Sequence, residues 1–160
     1  VANVFIGMCG YQLVFSGESF NFFTKLLGDQ FPAYTQIMNK DSFVPAKVDR
    51  AHLVKTLRRS ACLLSGQFIA TQFGFSPAGL KVTMQNKEVG NLDEEVPLEF
   101  NGDSLDMRFY APYLLSGLQV FPEEKIQFYL KNNNKPIIFE SDDEHYHTLY
   151  LVMPVAQTNG

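Results

Sequence analysis

Apolar and polar residues alternate along this chain in short blocks, and the blocks predict strands broken by two helices. Asn3–Met8 and Tyr11–Phe15 are apolar runs joined by Cys9-Gly10, which reads as a hairpin. Ser16-Gly17-Glu18 is a second turn, and Ser19–Leu27, with Phe20, Phe22 and Phe23, is a third strand. Three strands do not readily build a core alone, so this piece is expected to belong to a domain whose start is missing. The chain also lacks a starting Met and begins inside a strand-like run, as a fragment would.

From Gly28 to Lys40 the texture changes. Gly28 and Pro32 break any periodic pattern, yet Phe31, Tyr34, Ile37 and Met38 remain, so a packed-down linker is expected. Ser42–Val48 then reads as a strand. Asp49 is an N-cap candidate for a helix running through Ser65, with Gly66 at its end. Leu53, Val54, Leu57, Ala61 and Leu64 form its apolar stripe. His52, Lys55 and Arg59 lie opposite that stripe, with Arg58 beside them. This basic side is either a solvated face or a surface for phosphates.

Gln67–Phe75 and Leu80–Asn86 form a second hairpin about Ser76-Pro77-Ala78-Gly79. Leu92–Phe100 is an acidic further strand, and Leu105–Phe109 a short one. Tyr110–Val120 is a short helix with Pro112 in its first turn. Glu124–Leu130, Pro136–Glu140 and His147–Met153 are the last three strands. From Phe43 onward the order is β-α-β-β-β twice over, an α+β arrangement.

Composition adds bounds. The 160 residues allow one domain, or one plus part of another; 46% are apolar and 19% charged, which is globular. A net charge of −4 leaves nucleic-acid binding to a local basic face. Cys9 and Cys62 stand far apart in apolar settings, and are expected to be reduced core thiols of an intracellular, cytoplasmic protein. No run is long and apolar enough to span a bilayer.

Candidate chemistry is sparse. Glu140–His147 is the densest polar cluster, and His145 and His147 would share a strand face, but no third metal ligand is evident. It is read as a solvated hairpin loop. No G-x-S-x-G, activated Cys or phosphate loop appears, so neither an enzyme, a metal nor a cofactor is expected. The C-terminal stretch His147–Val155 is apolar on nearly every residue and stops at Pro154. It is either a core strand with a ragged tail or one wall of a groove for an apolar peptide, a setting that suits the flexible thioether of Met153.

Two segments carry a family resemblance. Leu149-Tyr150-Leu151-Val152-Met153-Pro154-Val155 resembles the closing strand of the bacterial DNA polymerase III β subunit, the sliding-clamp family. Leu26-Leu27-Gly28-Asp29-Gln30-Phe31-Pro32-Ala33-Tyr34 is similar to the segment joining that family's second and third domains. The resemblance covers the whole chain and implies a DNA-clamp fold, two β-α-β-β-β units with paired helices on antiparallel sheets. Residues 1–27 would end the middle domain, 28–42 would be the linker, and 43–160 the third domain.

It also implies function: a non-catalytic processivity factor encircling double-stranded DNA as a homodimeric ring. Partners would be the DNA polymerase III alpha subunit, the clamp loader delta subunit and other proteins bearing a Gln- and Leu/Phe-containing motif. The peptide pocket would use Pro32, Ile37, Asn134, Pro136, Leu151, Val152, Met153, Pro154 and Val155. Lys55, Arg58 and Arg59 would face DNA. Leu63, Leu64, Glu94 and Glu95 would lie at the subunit interface. The chain departs from the family at Gln36, where Arg is common, and at Ala156 and Gln157, where a basic residue and Leu are frequent. Two rivals stand beside this reading: a peptide-binding module not acting on DNA, and a metal-dependent enzyme using Glu140–His147.

Overall fold

The computed structural model describes residues 3–31, 33–142 and 145–156, which divide into two compact units, one ending at Tyr34 and one beginning at Thr35. In the first, β1 (Phe5–Cys9), β2 (Gln12–Ser16) and β3 (Asn21–Lys25) form an antiparallel meander in that order. Gly10, at φ 58°, supplies the left-handed residue of the β1–β2 turn. Most of its aromatic side chains stay in the open: Phe5 is 72% exposed and Phe22 57%. Cys9 is exposed with them, so it is not the core thiol its apolar neighbours predicted. The reason is that no second layer covers this sheet among the described residues of the unit.

A short helix, α1 (Tyr34–Ile37), follows. The second unit then runs β4 (Val44–Asp49), α2 (Arg50–Cys62), β5 (Thr71–Ser76), β6 (Gly79–Asn86), β7 (Gly90–Val96) and β8 (Leu98–Phe100). It continues with β9 (Leu105–Phe109), α3 (Ala111–Leu118), β10 (Lys125–Leu130), β11 (Ile137–Asp142) and β12 (His147–Val152). Asp49 caps α2 as expected, its carboxylate accepting from the His52 N–H at 2.6 Å.

The helix stops three residues earlier than Ser65. The Leu63 and Leu64 N–H groups turn back onto Ser60 and Ala61, and Ser65 and Gly66 take positive φ. Cys62 is exposed because it lies off the buried stripe of Leu53, Val54 and Leu57. The strand expected from Gln67 starts at Thr71. Its first residue is fixed by a buried hydroxyl pair, Ser60 Oγ and Thr71 Oγ1 at 2.5 Å, so Ser60 and Thr56 join the inward face that apolar spacing alone did not include.

The run Leu92–Phe100 is two strands, not one. Pro97 has no N–H to continue a ladder, and at that residue the chain leaves one sheet for the other. The four-stranded sheet has the order β7-β6-β5-β9 and the five-stranded sheet β12-β11-β10-β4-β8. All pairs are antiparallel. Each three-stranded meander therefore takes its next strand from the other half of the unit: β9 joins β5, and β4 joins β10.

Helices α2 and α3 pack together against the sheets. Leu57, Phe109, Leu114, Leu118, Phe128 and Phe139 fill the interior at 0–1% exposure. Each such side chain contributes roughly 1.5–3 kcal/mol on burial. Tyr150 of β12 lies against α3, where a Cβ on Gly117 would overlap its ring. The Tyr150 hydroxyl donates to the Tyr113 carbonyl at 2.6 Å. No helix among the described residues is long and apolar enough to cross a membrane.

Candidate functional site

A hollow of about 520 Å³ opens on the second unit where three pieces of chain meet. The end of α1 gives Gln36 and Ile37, and the segment after it Asn39, Asp41 and Phe43. The β10–β11 turn gives Lys131, Asn134, Lys135 and Pro136. The chain leaving β12 gives Met153. Its apolar surface comes from Ile37, Phe43, Pro136 and Met153, and its polar groups stand around them.

Local chemistry fixes each piece. In the first, the Asp41 N–H donates to Asn39 Oδ1 at 2.8 Å, the Phe43 N–H to the Lys40 carbonyl at 2.9 Å, and Ser42 takes φ 64°. In the turn, Asn132 accepts the Asn134 N–H on its side chain at 3.0 Å and the Lys135 N–H on its carbonyl at 3.2 Å, a local motif to which Asn is suited. Lys131 joins the two pieces: its ammonium donates to the Asp41 carbonyl at 3.2 Å and lies 5.6 Å from the Phe43 ring centre.

Lys40 is the second tie. Its ammonium pairs with Glu140 on β11 and sits 4.5 Å from the centre of the Tyr129 ring. The Tyr129 hydroxyl donates to the other Glu140 oxygen at 2.5 Å. Burial alone would raise the Glu140 pKa, but the hydrogen bonds from Lys40 and Tyr129 outweigh it and hold the carboxyl below its ordinary value. Burial likewise opposes the Lys40 charge, and the Glu140 carboxylate overcomes it, so that amine is raised.

Of the expected pocket residues, Ile37, Asn134, Pro136 and Met153 line this hollow; Ile37 is 44% and Met153 55% exposed. Pro32 lies outside the described residues. Leu151 is half-buried, and Val152 turns into the core opposite Ile137, because side chains alternate along β12. Pro154 and Val155 run on past the hollow, and the Val155 N–H reaches the Arg108 carbonyl of β9 at 2.7 Å. Sequence reasoning missed Phe43, Asn39, Asp41, Lys131 and Lys135. The Asn-rich turn after a clear strand was the available signal for the two lysines.

On α2, Lys55 and Arg58 are exposed. Arg59 is exposed too, but its guanidinium pairs with Glu94 of β7, with Nη2 to Oε2 at 2.5 Å. The Thr56 hydroxyl donates to the same carboxylate at 2.7 Å. The hydrogen bond from Arg59 holds the Glu94 carboxyl below the usual range. Residues expected on two different surfaces are thus joined in one pair. Leu64 is core, Leu63 is half-buried beside it, and Glu95 points to solvent from the edge strand β7. Atoms of Glu140, Asp142 and His147 that could ligate a metal lie within 4.8 Å of one another. There Glu140 already meets Lys40 and Tyr129, and His147 Nδ1 meets Asp142.

Comparison with known proteins bears on this geometry. A family model described as the DNA polymerase III beta subunit, C-terminal domain, matches residues 35–156. The beta sliding clamp of Pseudomonas aeruginosa is 30% identical over 141 residues, 88% of this chain and 38% of that protein. That of Synechococcus elongatus is 30% identical over 146 residues, 90% of this chain and 39% of its own length. The chain thus spans about two fifths of the curated relatives it matches. A crystal structure of the P. aeruginosa DNA polymerase III beta subunit superposes with a TM-score of 0.79 at 27% identity, covering 96% of this chain and 42% of that one. The Caulobacter crescentus sliding clamp shares the fold, with a TM-score of 0.80 at 20% identity over 96% of this chain and 41% of its own. The matched region contains α2, α3, both large sheets and the whole hollow, and the chain belongs to the DNA polymerase III beta subunit family, the beta sliding clamps.

Proposed function

We propose that this chain serves as the C-terminal part of a DNA sliding clamp, a non-catalytic processivity factor that tethers partner proteins to double-stranded DNA. The observation that carries this reading is the hollow at Ile37, Pro136 and Met153, in a chain of the clamp family. An apolar slot rimmed by amides and backbone groups suits a short peptide, because apolar contact supplies affinity and the rim supplies direction. The peptides would come from the polymerase III alpha subunit, the clamp loader delta subunit and other carriers of a Gln- and Leu/Phe-containing motif. Residues 1–27 and 43–160 would belong to the middle and third domains of a cytoplasmic, homodimeric ring, joined by 28–42. Its subunit contact would use Leu63, Glu95 and the open edge of β7, and its DNA-facing side Lys55 and Arg58.

The test is fluorescence polarisation with a labelled clamp-type peptide. Saturable binding, weakened about tenfold by Met153→Ala, is expected, since such a truncation removes a contact worth on the order of 1–2 kcal/mol. Binding indifferent to that substitution would remove the pocket assignment.

One observation favours a peptide-binding module that does not act on DNA: the Arg59 charge is already matched by Glu94. Exchanging Lys55 and Arg58 for Ala in the full-length ring decides between them. Loss of sliding supports the clamp reading, and unchanged sliding supports the module.

A further inference from the structure

We propose that Glu140 and His147 form a zinc-binding site on the outer face of the β11–β12 hairpin, with Asp142 orienting the imidazole. The site does not depend on the pocket reading. Glu140 and Asp142 are two residues apart on β11, and Asp142 stands directly across the ladder from His147. All three side chains therefore share one face of the sheet. That face is turned from the core, because Phe128 and Phe139, which alternate with Gln127 and Glu140, point inward. The spacing of His145 and His147 suggested a histidine pair. The fold instead gives His147 two carboxylate neighbours from the strand beside it.

Asp142 Oδ1 meets His147 Nδ1, which places the ring proton on that nitrogen and leaves the lone pair on Nε2. Nε2 lies 3.5 Å from Glu140 Oε1. Two ligands of one tetrahedral zinc, each about 2.1 Å from the ion, stand roughly 3.4 Å apart. The observed separation is thus close to one edge of such a site. A carboxylate on the far nitrogen of a zinc-bound imidazole fixes its tautomer and raises its basicity. The imidazole also selects zinc over magnesium and calcium, which take oxygen ligands. Beside Glu140 and Asp142 opens a hollow of about 300 Å³, where water completes the coordination. Glu123 lines it too, with Oε2 buried and lacking a hydrogen-bond partner among the described residues. Three carboxylates, Glu123, Glu140 and Asp142, stand here against Lys40 and Lys47, since Lys125 is committed to Glu99. The local charge therefore favours a cation. Lys40 is the competitor, because its ammonium holds the same Glu140 oxygen that zinc needs.

The experiment is calorimetric titration of zinc chloride into the full chain at neutral pH, in a buffer that does not chelate. One ion per chain is expected, bound in the micromolar range. His147→Gln should weaken binding by at least about tenfold, and Glu140→Gln and Asp142→Asn by about tenfold each. Lys40→Gln should tighten it by about three- to fivefold, because it removes a competing charge. The Lys40 and Glu140 substitutions break the same tie, so their opposite effects separate metal ligation from loosening of the fold. His145→Gln should leave the affinity unchanged, and zinc should shift the Nε2 resonance of His147 in nitrogen NMR. No binding overturns the inference, as does binding that survives His147→Gln, for instance at the exposed Cys9 or Cys62. An unchanged or lower affinity in Lys40→Gln overturns it too, because Glu140 would then not be the shared ligand.

Discussion

The β1–β3 sheet and the β10–β12 strands are built from the same kinds of residue but reach opposite ends. Phe22 in the first is 57% exposed, whereas Phe128 in the second is 1% exposed and packs between Phe75 and Phe139 at ring distances of 6.0 and 5.4 Å. The difference lies in the second layer, since α2, α3 and the four-stranded sheet cover one region and, among the described residues, no element of its own unit covers the other. Strand pattern reports the strand, and the cover decides the energy.

The largest effect that could break this contrast is on the two phenylalanines. Phe128→Ala should destabilise the second unit by about 3–5 kcal/mol, because the ring leaves a cavity among rigid neighbours. Phe22→Ala should cost less than about 1.5 kcal/mol, the value of its exposed contact with Phe15. Amide hydrogen exchange reads the two sheets separately. Comparable losses of protection in both would show that exposure does not govern the contrast.

Two glycines give a smaller effect with opposite signs. Nothing lies within 4 Å of a Cβ added at Gly7 in β1, so Gly7→Ala should be neutral or stabilise by up to ~1 kcal/mol through the unfolded chain. Gly117→Ala gains helix propensity but drives a methyl into the Tyr150 ring, and should cost about 1–3 kcal/mol. Urea midpoints measure both, and a stabilising Gly117→Ala would mean that α3 and β12 can part easily.

The contrast also shows how far the sequence reached. Helix α2 was readable because its cap and its stripe are local features. Pro97 marked a break that an acidic run concealed, since membership of a sheet depends on partners far along the chain: Val48 pairs with Leu98 on one side and Ile126 on the other. Apolar sequence neighbours likewise do not make a cysteine buried: Cys9 lies on a sheet without a second layer among the described residues of its unit, and Cys62 lies off the buried stripe of α2. At the hollow, Ile37 and Met153 were identified through resemblance. Phe43, Lys131 and Lys135 were not, because they sit at strand ends where no periodicity points. Arg59 and Glu94 stand 35 residues apart, so their pairing needed the fold.

The smallest effect concerns a segment that resembles a linker in composition yet packs with the second unit. Lys40, set between Asn39 and Asp41 of the hollow, is tied to Glu140. The Glu140 pKa is lowered from 4.5, so its contribution is present above that pH and is lost as pH falls through the folded value. The Lys40 pKa is raised from 10.5, so its contribution is present below that pH and is lost as pH rises through the folded value. Between these limits the pair adds no pH dependence. With the Lys40 side chain 31% exposed, solvent screening holds the pair to ~0.5–1 kcal/mol. Glu140→Gln should therefore lower the urea midpoint modestly at pH 7, and the gap from wild type should close as pH drops well below 4.5. Peptide affinity should fall alongside it at neutral pH, because the wall carrying Ile37 loses its anchor. A gap that persists unchanged in acid would mean that the Glu140 side chain acts by shape rather than charge, and that the segment owes its place to Ile37 and Phe43 alone.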